Sequence, residues 1–452
     1  MSLAKQETEK TLDTVETNGE LLATRKAHFL PTAAHYYQEP LHLVRAKGSF
    51  VYDEQGREFL DVIGGIVCIS AGHNHPRIQQ RMIEMITNDE IQHTTTLYLN
   101  RYATRLADKL TGEAPKSMDP KTAKVAFTNS GSEANELALL AARQATGETM
   151  VISLQHGYHG GTSGTLAHCG HHSWRFRAQP VSNAVAAIAP NCYRCPFKRD
   201  PGTCHLECAK HVEETIQTTT HGRIAAFLAE PVLGVGGFIT PPEEYFHRVA
   251  EIIHRYGGKY ISDEVQTGAG RCGQTFLATP SLGIDADIIT MAKGFGNGAA
   301  IGATLMRADI AESMTGKMHF NTFAGDPFQA MQALTTMDII EEEKLIENAR
   351  VMGQALKDGL LELQKRHPLI GDVRGRGLLL GIELVKDRET KEYASAETAQ
   401  LMELMKERGV LIGKGGLFGN VVRLAPALSI NRDQAEQLLK ALDESLSVLE
   451  KG

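Results

Sequence analysis

The sequence predicts an α/β protein: a large domain with a mostly parallel central sheet covered by helices, plus a smaller α+β domain. Three observations predict it. A chain of 452 residues exceeds what one core organises, since cores stop growing near roughly 250–300 residues. From about Ile63 to Pro327, short apolar runs alternate with helical stretches, the pattern of a sheet buried on both faces. Beyond Phe328 helical periodicity dominates. The expected division is 1–62 for an N-terminal segment joining the small domain, 63–327 for the large domain and 328–452 for the small one.

Taken in order, the first twenty or so residues are polar and aperiodic and are expected to fray. Phe50-Val-Tyr-Asp-Glu-Gln-Gly-Arg-Glu-Phe-Leu60 sets β-favouring residues around Gly56 and reads as a hairpin. Val125–Thr128, Met150–Ser153, Ala225–Ala229, Tyr260–Ser262 and Asp287–Thr290 read as buried strands. After the first of these, Thr128-Asn-Ser-Gly-Ser-Glu-Ala-Asn135 opens a helix whose body carries Ala138, Leu139 and Ala142 and whose stop is Gly147. At the far end Asn431 is a plausible N-cap for a stripe of Ala435, Leu438, Leu439, Leu442, Leu446 and Leu449.

Composition excludes several classes. Apolar residues at 42% and charged residues at 22% match an ordinary globular chain. A formal net charge of −7 argues against nucleic-acid binding through a general positive field. No run approaches the roughly 20 continuous apolar residues of a membrane helix. Residues 1–20 hold five acidic residues against two lysines and no apolar signal core, so the cytoplasm is the expected location. Seven cysteines, an odd number in a long chain, do not make the framework of a small secreted protein.

Three polar residues follow predicted strands directly: Glu230, Asp263 and Lys293. Parallel strands bring all three to one sheet edge, where sites of this architecture lie. A charged residue after a strand is usually a solvated turn. A lysine followed by Gly294-Phe-Gly-Asn-Gly298 is more informative, because glycine permits close approach of a ligand to backbone. A desolvated lysine near an acid suits imine chemistry. The helix opening at Gly131 and Ser132 offers free N–H groups to a phosphate, although an ordinary N-cap reads the same way. No G-x-x-x-x-G-K-[ST] run is present, so a P-loop triphosphate is not the better reading.

Four motifs together carry a resemblance: Asn129-Ser-Gly-Ser-Glu-Ala-Asn135, His156-Gly-Tyr-His-Gly160, Ser262-Asp-Glu-Val-Gln-Thr-Gly268 and Ala292-Lys-Gly294. With them the chain resembles the class III aminotransferases of the fold-type I pyridoxal-phosphate superfamily, over nearly its whole length. Through Asn191-Cys-Tyr-Arg-Cys-Pro196 and Gly415-Gly-Leu-Phe-Gly-Asn420 it is most similar to the alanine:glyoxylate aminotransferase 2 group. The resemblance implies that Lys293 holds pyridoxal 5'-phosphate as an imine and that Asp263 keeps the pyridine nitrogen protonated. It implies that Tyr158 stacks on the ring, that Gln266 reaches the phenolic oxygen, and that Gly131 and Ser132 hold the phosphate. Thr322 would join them from a partner subunit, making a homodimer the minimum active unit and leaving a tetramer open. Glu230 would support the substrate side of the ring.

By the same resemblance Arg423 grips a substrate carboxylate. Relatives that handle ω-amino donors carry a glutamate where this chain has Val235, and ornithine enzymes carry a tyrosine where it has Ile66. The implied reaction is transamination between a small amino donor, alanine or a β-amino acid, and a keto acid, glyoxylate or pyruvate. An ω-amine transaminase, aminomutase, racemase, decarboxylase or phospho-lyase on the same scaffold stays open. So does a non-catalytic metal-binding or interaction protein organised around the cysteines.

The bland readings are these. Tyr158 is a half-buried core aromatic. His159 is a satisfied polar residue outside the catalytic set. His73 and His75 belong to a turn, since two histidines without nearby acids or thiols make a poor metal site. Cys192, Cys195, Cys204 and Cys208, spaced C-x2-C-x8-C-x3-C, supply the ligand count of zinc or an iron–sulfur cluster. Local packing or redox-labile thiols compete with that, and the aminotransferase chemistry requires no metal.

Overall fold

The computed structural model describes residues 17–32, 34–178 and 183–451. The hairpin expected from Phe50 to Leu60 is present: β1 (Leu43–Lys47), β2 (Phe50–Asp53) and β3 (Glu58–Asp61) pair antiparallel, and Gly56 turns the chain at φ 78°. Seven further strands form the central sheet: β4 (Lys124–Thr128), β5 (Val151–Leu154), β6 (Ala184–Ala187), β7 (Ala226–Ala229), β8 (Lys259–Asp263), β9 (Ile288–Met291) and β10 (Gly302–Met306). Their order is β4-β10-β9-β8-β7-β5-β6. Strands β5 to β9 pair in parallel, and β10 runs antiparallel to both its neighbours.

The expected mostly parallel sheet is therefore the observed one. Every residue of β5, β7 and β9 is buried, as continuous apolar runs covered on both faces require. Two strands of this sheet escaped the sequence reading. Ala184-Val-Ala-Ala187 has a single β-branched residue, Val185, among three alanines and no aromatic, and β10 begins on Gly302 directly after a glycine-rich loop.

The C-terminal part supplies β11 (Ile370–Arg376), β12 (Leu379–Leu384), β13 (Val410–Leu411), β14 (Gly413–Gly415) and β15 (Val421–Leu424). β11-β12-β15-β14 is antiparallel, while β13 pairs in parallel with β3, Val410 opposite Leu60. The last helix runs Arg432–Leu449 behind Asn431, whose side chain accepts from Gln434 N at 2.9 Å. At the other end, residues 1–16 lie outside the described ones, but a helix runs Asn18–His28, so the fraying expected of the first twenty or so residues does not extend to Asn18–Glu20. Thr17 and Glu20 close a capping box there, which ties the first turn even though the helix buries no residue.

One segment breaks the usual backbone rules. Gly64, Gly65, Ile66 and Val67 have φ of 58, 58, 68 and 66°, a complete left-handed turn. Its hydrogen bonds run from Val67 N to Ile63 O and from Cys68 N to Gly64 O, both 2.7 Å. For β-branched side chains the left-handed region costs roughly 1–2 kcal/mol per residue, so the surroundings must impose it. The Asp61 carboxylate starts the turn by accepting from Ile63 N and Gly64 N at 3.1 and 2.9 Å.

Candidate active site

Adjacent strands β7, β8 and β9 end together, with Ala229 opposite Ser262 and Asp263 opposite Thr290. Glu230, Asp263 and Lys293 consequently line one cavity of about 300 Å³, together with Gly131, Ser132, Tyr158 and Gln266. Seven of the residues singled out in the sequence are thus neighbours in space.

Asp263 sits at the floor, 2% exposed. Its Oδ2 accepts from Asn135 Nδ2 at 2.8 Å and from His159 Nδ1 at 2.7 Å, and its Oδ1 accepts from Val265 N at 3.1 Å. Asn135 is fixed in turn by Thr290 Oγ1, which donates to its Oδ1 at 2.7 Å. Three donors converge on one buried carboxylate and fix its orientation. Glu230 is buried as well and accepts from Tyr158 N (3.0 Å) and Gly234 N (2.8 Å). Burial pushes its carboxyl up to about 7, against the pull of His159 and those two amides. Lys293 lies in the left-handed region at φ 51°. Its side chain borders the cavity yet lies deep in the protein, and this desolvation lowers its pKa despite Asp263, Cys68 and Glu230 nearby.

At the opposite end the helix Gly131–Thr146 begins, capped by Ser130, whose Oγ accepts from Glu133 N at 3.2 Å. Backbone N–H groups of its first turn have no partner inside the helix. Neighbouring chain crowds this end: a Cβ on Gly131 would lie 2.9 Å from both Val265 methyls, and one on Gly160 2.6 Å from Ser132 Oγ. Tyr158 borders the cavity and meets Trp174 edge-on, with ring centroids 4.9 Å apart.

Arg423 stands one step behind this wall. It is 3% exposed, and its Nη2 donates to Gln266 Oε1 at 2.6 Å. Its Nε has no partner, and its guanidinium lies 4.6 Å from the centre of the Phe238 ring. Burial lowers its pKa. Gly415 separates it from Val235: a Cβ there would lie 2.6 Å from Arg423 Cδ and 3.1 Å from Val235 O. Ile66 is 43% exposed on the left-handed turn, with Cys68 of the same segment reaching the cavity. Thr322 is exposed and outside its own chain's cavity, although Asn321 beside it accepts at 2.9 Å from Asn129, which does line it.

Sequence reasoning missed Asn135 and set His159 aside, yet these two orient Asp263. Asn135 is 128 positions from Asp263 and His159 is 104, and no local pattern announces such pairings. His73 and His75 do have carboxylates beside them: Asp61 at 2.8 Å and Glu343 at 3.1 Å, brought in by folding. The four clustered cysteines border one small cavity, but among the described residues no three His, Cys, Asp or Glu side chains are grouped to hold a metal ion. Gly268-Ala-Gly-Arg-Cys-Gly273 has the glycine spacing of a dinucleotide loop, yet it forms a turn that opens no long helix.

The cavity fits pyridoxal phosphate. A helix N-terminus at one end suits its phosphate, a triply hydrogen-bonded carboxylate suits its ring nitrogen, and a desolvated lysine suits its aldehyde. The volume is that of a small-molecule site.

Comparison with known proteins agrees. The family model Aminotransferase class-III matches residues 32–446. An Arabidopsis thaliana protein named alanine–glyoxylate aminotransferase 2 homolog 2, mitochondrial, is 40% identical over 94% of this chain and 87% of its own length. A leucine/methionine racemase of Thermococcus litoralis is 33% identical over 96% of both chains. Among solved structures, an amine transaminase from an uncultivated Pseudomonas species, with pyridoxal phosphate bound, superposes with a TM-score of 0.86 at 32% identity, covering 93% of this chain and 98% of that one. A match of this extent, on a chain whose cavity already fits the cofactor, means that the protein belongs to the class III aminotransferases and is a pyridoxal-phosphate enzyme.

Proposed function

We propose that the enzyme moves the amino group of a small carboxylate-bearing donor, alanine or a β-amino acid, to a keto acid such as glyoxylate or pyruvate, in two alternating half-reactions. The observation that carries this reading is Arg423: a buried guanidinium with one side-chain acceptor, Gln266, and an unpartnered Nε, behind the wall of the lysine cavity. A buried cation without an anion is costly. A substrate carboxylate relieves that cost with charge-assisted bonds. Val235 adds no acid that would satisfy Arg423 in the absence of such a substrate.

The cofactor, when bound, supplies the electron sink that makes a substrate C–H acidic. The chain's own groups do the rest. Asp263, held by Asn135 and His159, stabilises a protonated ring nitrogen. The first-turn amides of Gly131 and Ser132 would hold the phosphate, Tyr158 would cover the ring, and Gln266, whose Oε1 accepts from Arg423, would donate from its Nε2 to the phenolic oxygen. Lys293 would hold the cofactor through its Nζ, and desolvation, which lowers the pKa of that amine, suits it to carry the proton that leaves the substrate carbon. Glu230 borders the substrate side, and Ile66 and Val235 keep the approach apolar.

Thr322 lies in the segment between Met318, 90% exposed, and Phe323, 57% exposed, and Leu97, Tyr98 and Leu99 are exposed too. So much uncovered apolar surface fits burial against a second copy, which supports a homodimer in which Thr322 completes the partner's phosphate site. No described helix is long and apolar enough to cross a membrane. The cytoplasm is part of the same proposal, whereas the name of the Arabidopsis relative says mitochondrial. The division at 62/63 and 327/328 belongs to the same proposal.

The test is a panel of amino donors against keto acids, read by product formation and by the change in cofactor absorbance after donor alone. Fastest turnover with alanine or a β-amino acid is expected; no keto-acid-dependent turnover with any carboxylate-bearing donor would overturn the reading. Similarity to a racemase favours racemisation as the second reading, and D-amino acid formed without a keto acid would establish it.

A further inference from the structure

Arg271 is among the largest fully buried side chains of the protein. Among the described residues no carboxylate pairs with it: Nη2 donates to the Ile69 carbonyl at 3.1 Å, Nη1 donates to the Pro426 carbonyl, and Nε has no partner. A guanidinium buried this way is expensive to keep, so what its two carbonyls belong to matters. Ile69 closes the left-handed segment that begins at Gly64. Pro426 lies three residues beyond Arg423 on the same extended stretch. The two stretches already touch, since Ala425 N donates to Val62 O at 2.7 Å and a Cβ on Gly64 would lie 3.3 Å from Ala425 O.

The other end of the segment rests on the lysine loop. Asn297 Oδ1 accepts from Ser70 N at 2.8 Å and from Ala71 N at 2.9 Å. A Cβ on Gly294, next to Lys293, would collide with Ser70 Oγ. Residues 64–72 therefore bridge the loop of Lys293 and the strand of Arg423, and Arg271 sits at the joint.

We propose that Arg271 is a positioning residue: it locks the left-handed turn bearing Ile66 and Cys68 onto the stretch that carries Arg423, and so fixes the spacing of the substrate wall from Lys293. Ile66 and Val67 stay left-handed only while something holds them. The planar fork of an arginine reaches two carbonyls at once with fixed geometry; a lysine at the same place cannot. The kinetic part rests on the reading of Arg423 as the carboxylate clamp, whereas the conformational part does not.

The test combines hydrogen exchange on the holoenzyme with steady-state kinetics for Arg271→Met and Arg271→Lys. Amides of Val67 and Cys68, which donate within the turn, should exchange about tenfold faster or more in Arg271→Met and to an intermediate degree in Arg271→Lys, while peptides over 128–135 stay unchanged. Adding Ile66→Gly to Arg271→Met should restore much of that protection, because glycine accepts positive φ unaided. The Michaelis constant for alanine should rise about fivefold or more at nearly constant kcat. Unchanged exchange at 62–72, or equal acceleration throughout the chain, would overturn the proposal. Faster local exchange with an unchanged alanine constant would overturn its link to Arg423 and leave the clamp itself to be judged by variants of Arg423. Should Arg271→Met fail to fold, Arg271→Lys alone decides.

Discussion

Replacing Arg423 by alanine should separate donors by whether they carry a carboxylate. In the wild type the guanidinium has one side-chain acceptor, Gln266 Oε1 at 2.6 Å, and a free Nε. A carboxylate therefore gains one bond outright and exchanges or shares the other. Hydrogen bonds to charged groups contribute about 1.5–3 kcal/mol each, so a net loss of about 2–4 kcal/mol is expected for alanine. That corresponds to roughly 30- to 1,000-fold in kcat/KM. An amine without a carboxylate loses nothing by the substitution and gains from removal of an unpaired buried cation. The assay is the ratio of kcat/KM for alanine to that for such an amine in wild type, Arg423→Ala and Val235→Glu. Val235→Glu should shift the ratio the same way by a smaller amount, because a new ion pair competes with alanine. A ratio in Arg423→Ala within about threefold of wild type would refute the clamp, leaving the cofactor assignment intact.

Other outcomes follow from the same site. Lys293→Ala should still bind pyridoxal phosphate without covalent attachment, so borohydride should no longer fix it, and turnover should fall by about three orders of magnitude or more. Asp263→Asn should keep the cofactor but lose most of the rate of the half-reaction with alanine, measured in a single turnover, since an amide cannot balance a protonated ring nitrogen. In the cofactor-free protein Glu230 should make stability depend on pH. Its carboxyl is raised from 4.5 to about 7 by burial, so its contribution is fully present below pH 4.5 and is lost as pH rises through 7, on the order of 3 kcal/mol in all. Denaturant unfolding of Glu230→Gln should show a flatter profile between pH 5 and 8, and an identical profile would sink the assignment. Metal analysis of protein purified without chelator should find well under one zinc or iron per chain, because the cysteines are not grouped as ligands among the described residues; a full equivalent would reverse that view.

The parts of this site that were legible in the sequence are those set by local rules. A buried strand has a recognisable run and a definite end, so Glu230, Asp263 and Lys293 could be put at one edge from the pattern alone. The helix start at Gly131 and its stop at Gly147, φ 71°, were legible for the same reason. Contacts between distant elements were not. Asn135 meets Asp263 and Gln266 meets Arg423 across 128 and 157 positions, and either member alone reads as an ordinary polar residue. The left-handed turn ran against propensity: Ile and Val are the last residues to suggest positive φ, and only Gly64 and Gly65 hinted at it. Conversely, the capping box of Thr17 and Glu20 was written locally in a stretch whose polarity suggested disorder.

The pairing of β3 with β13 sets a timetable for biosynthesis. Leu60 meets Val410, roughly 350 residues later, and a ribosome adding about 5–20 residues per second needs some 20–70 s to cover that distance. Throughout that interval the outer edge of the N-terminal hairpin has no native neighbour, and an open edge invites pairing with other nascent chains. Lys293, by contrast, lies in the short connection between adjacent strands β9 and β10, a pairing that closes early. The loop of Lys293 is thus in place in the middle of synthesis, whereas the strand of Arg423 and the neighbour of the hairpin's edge both arrive only near its end.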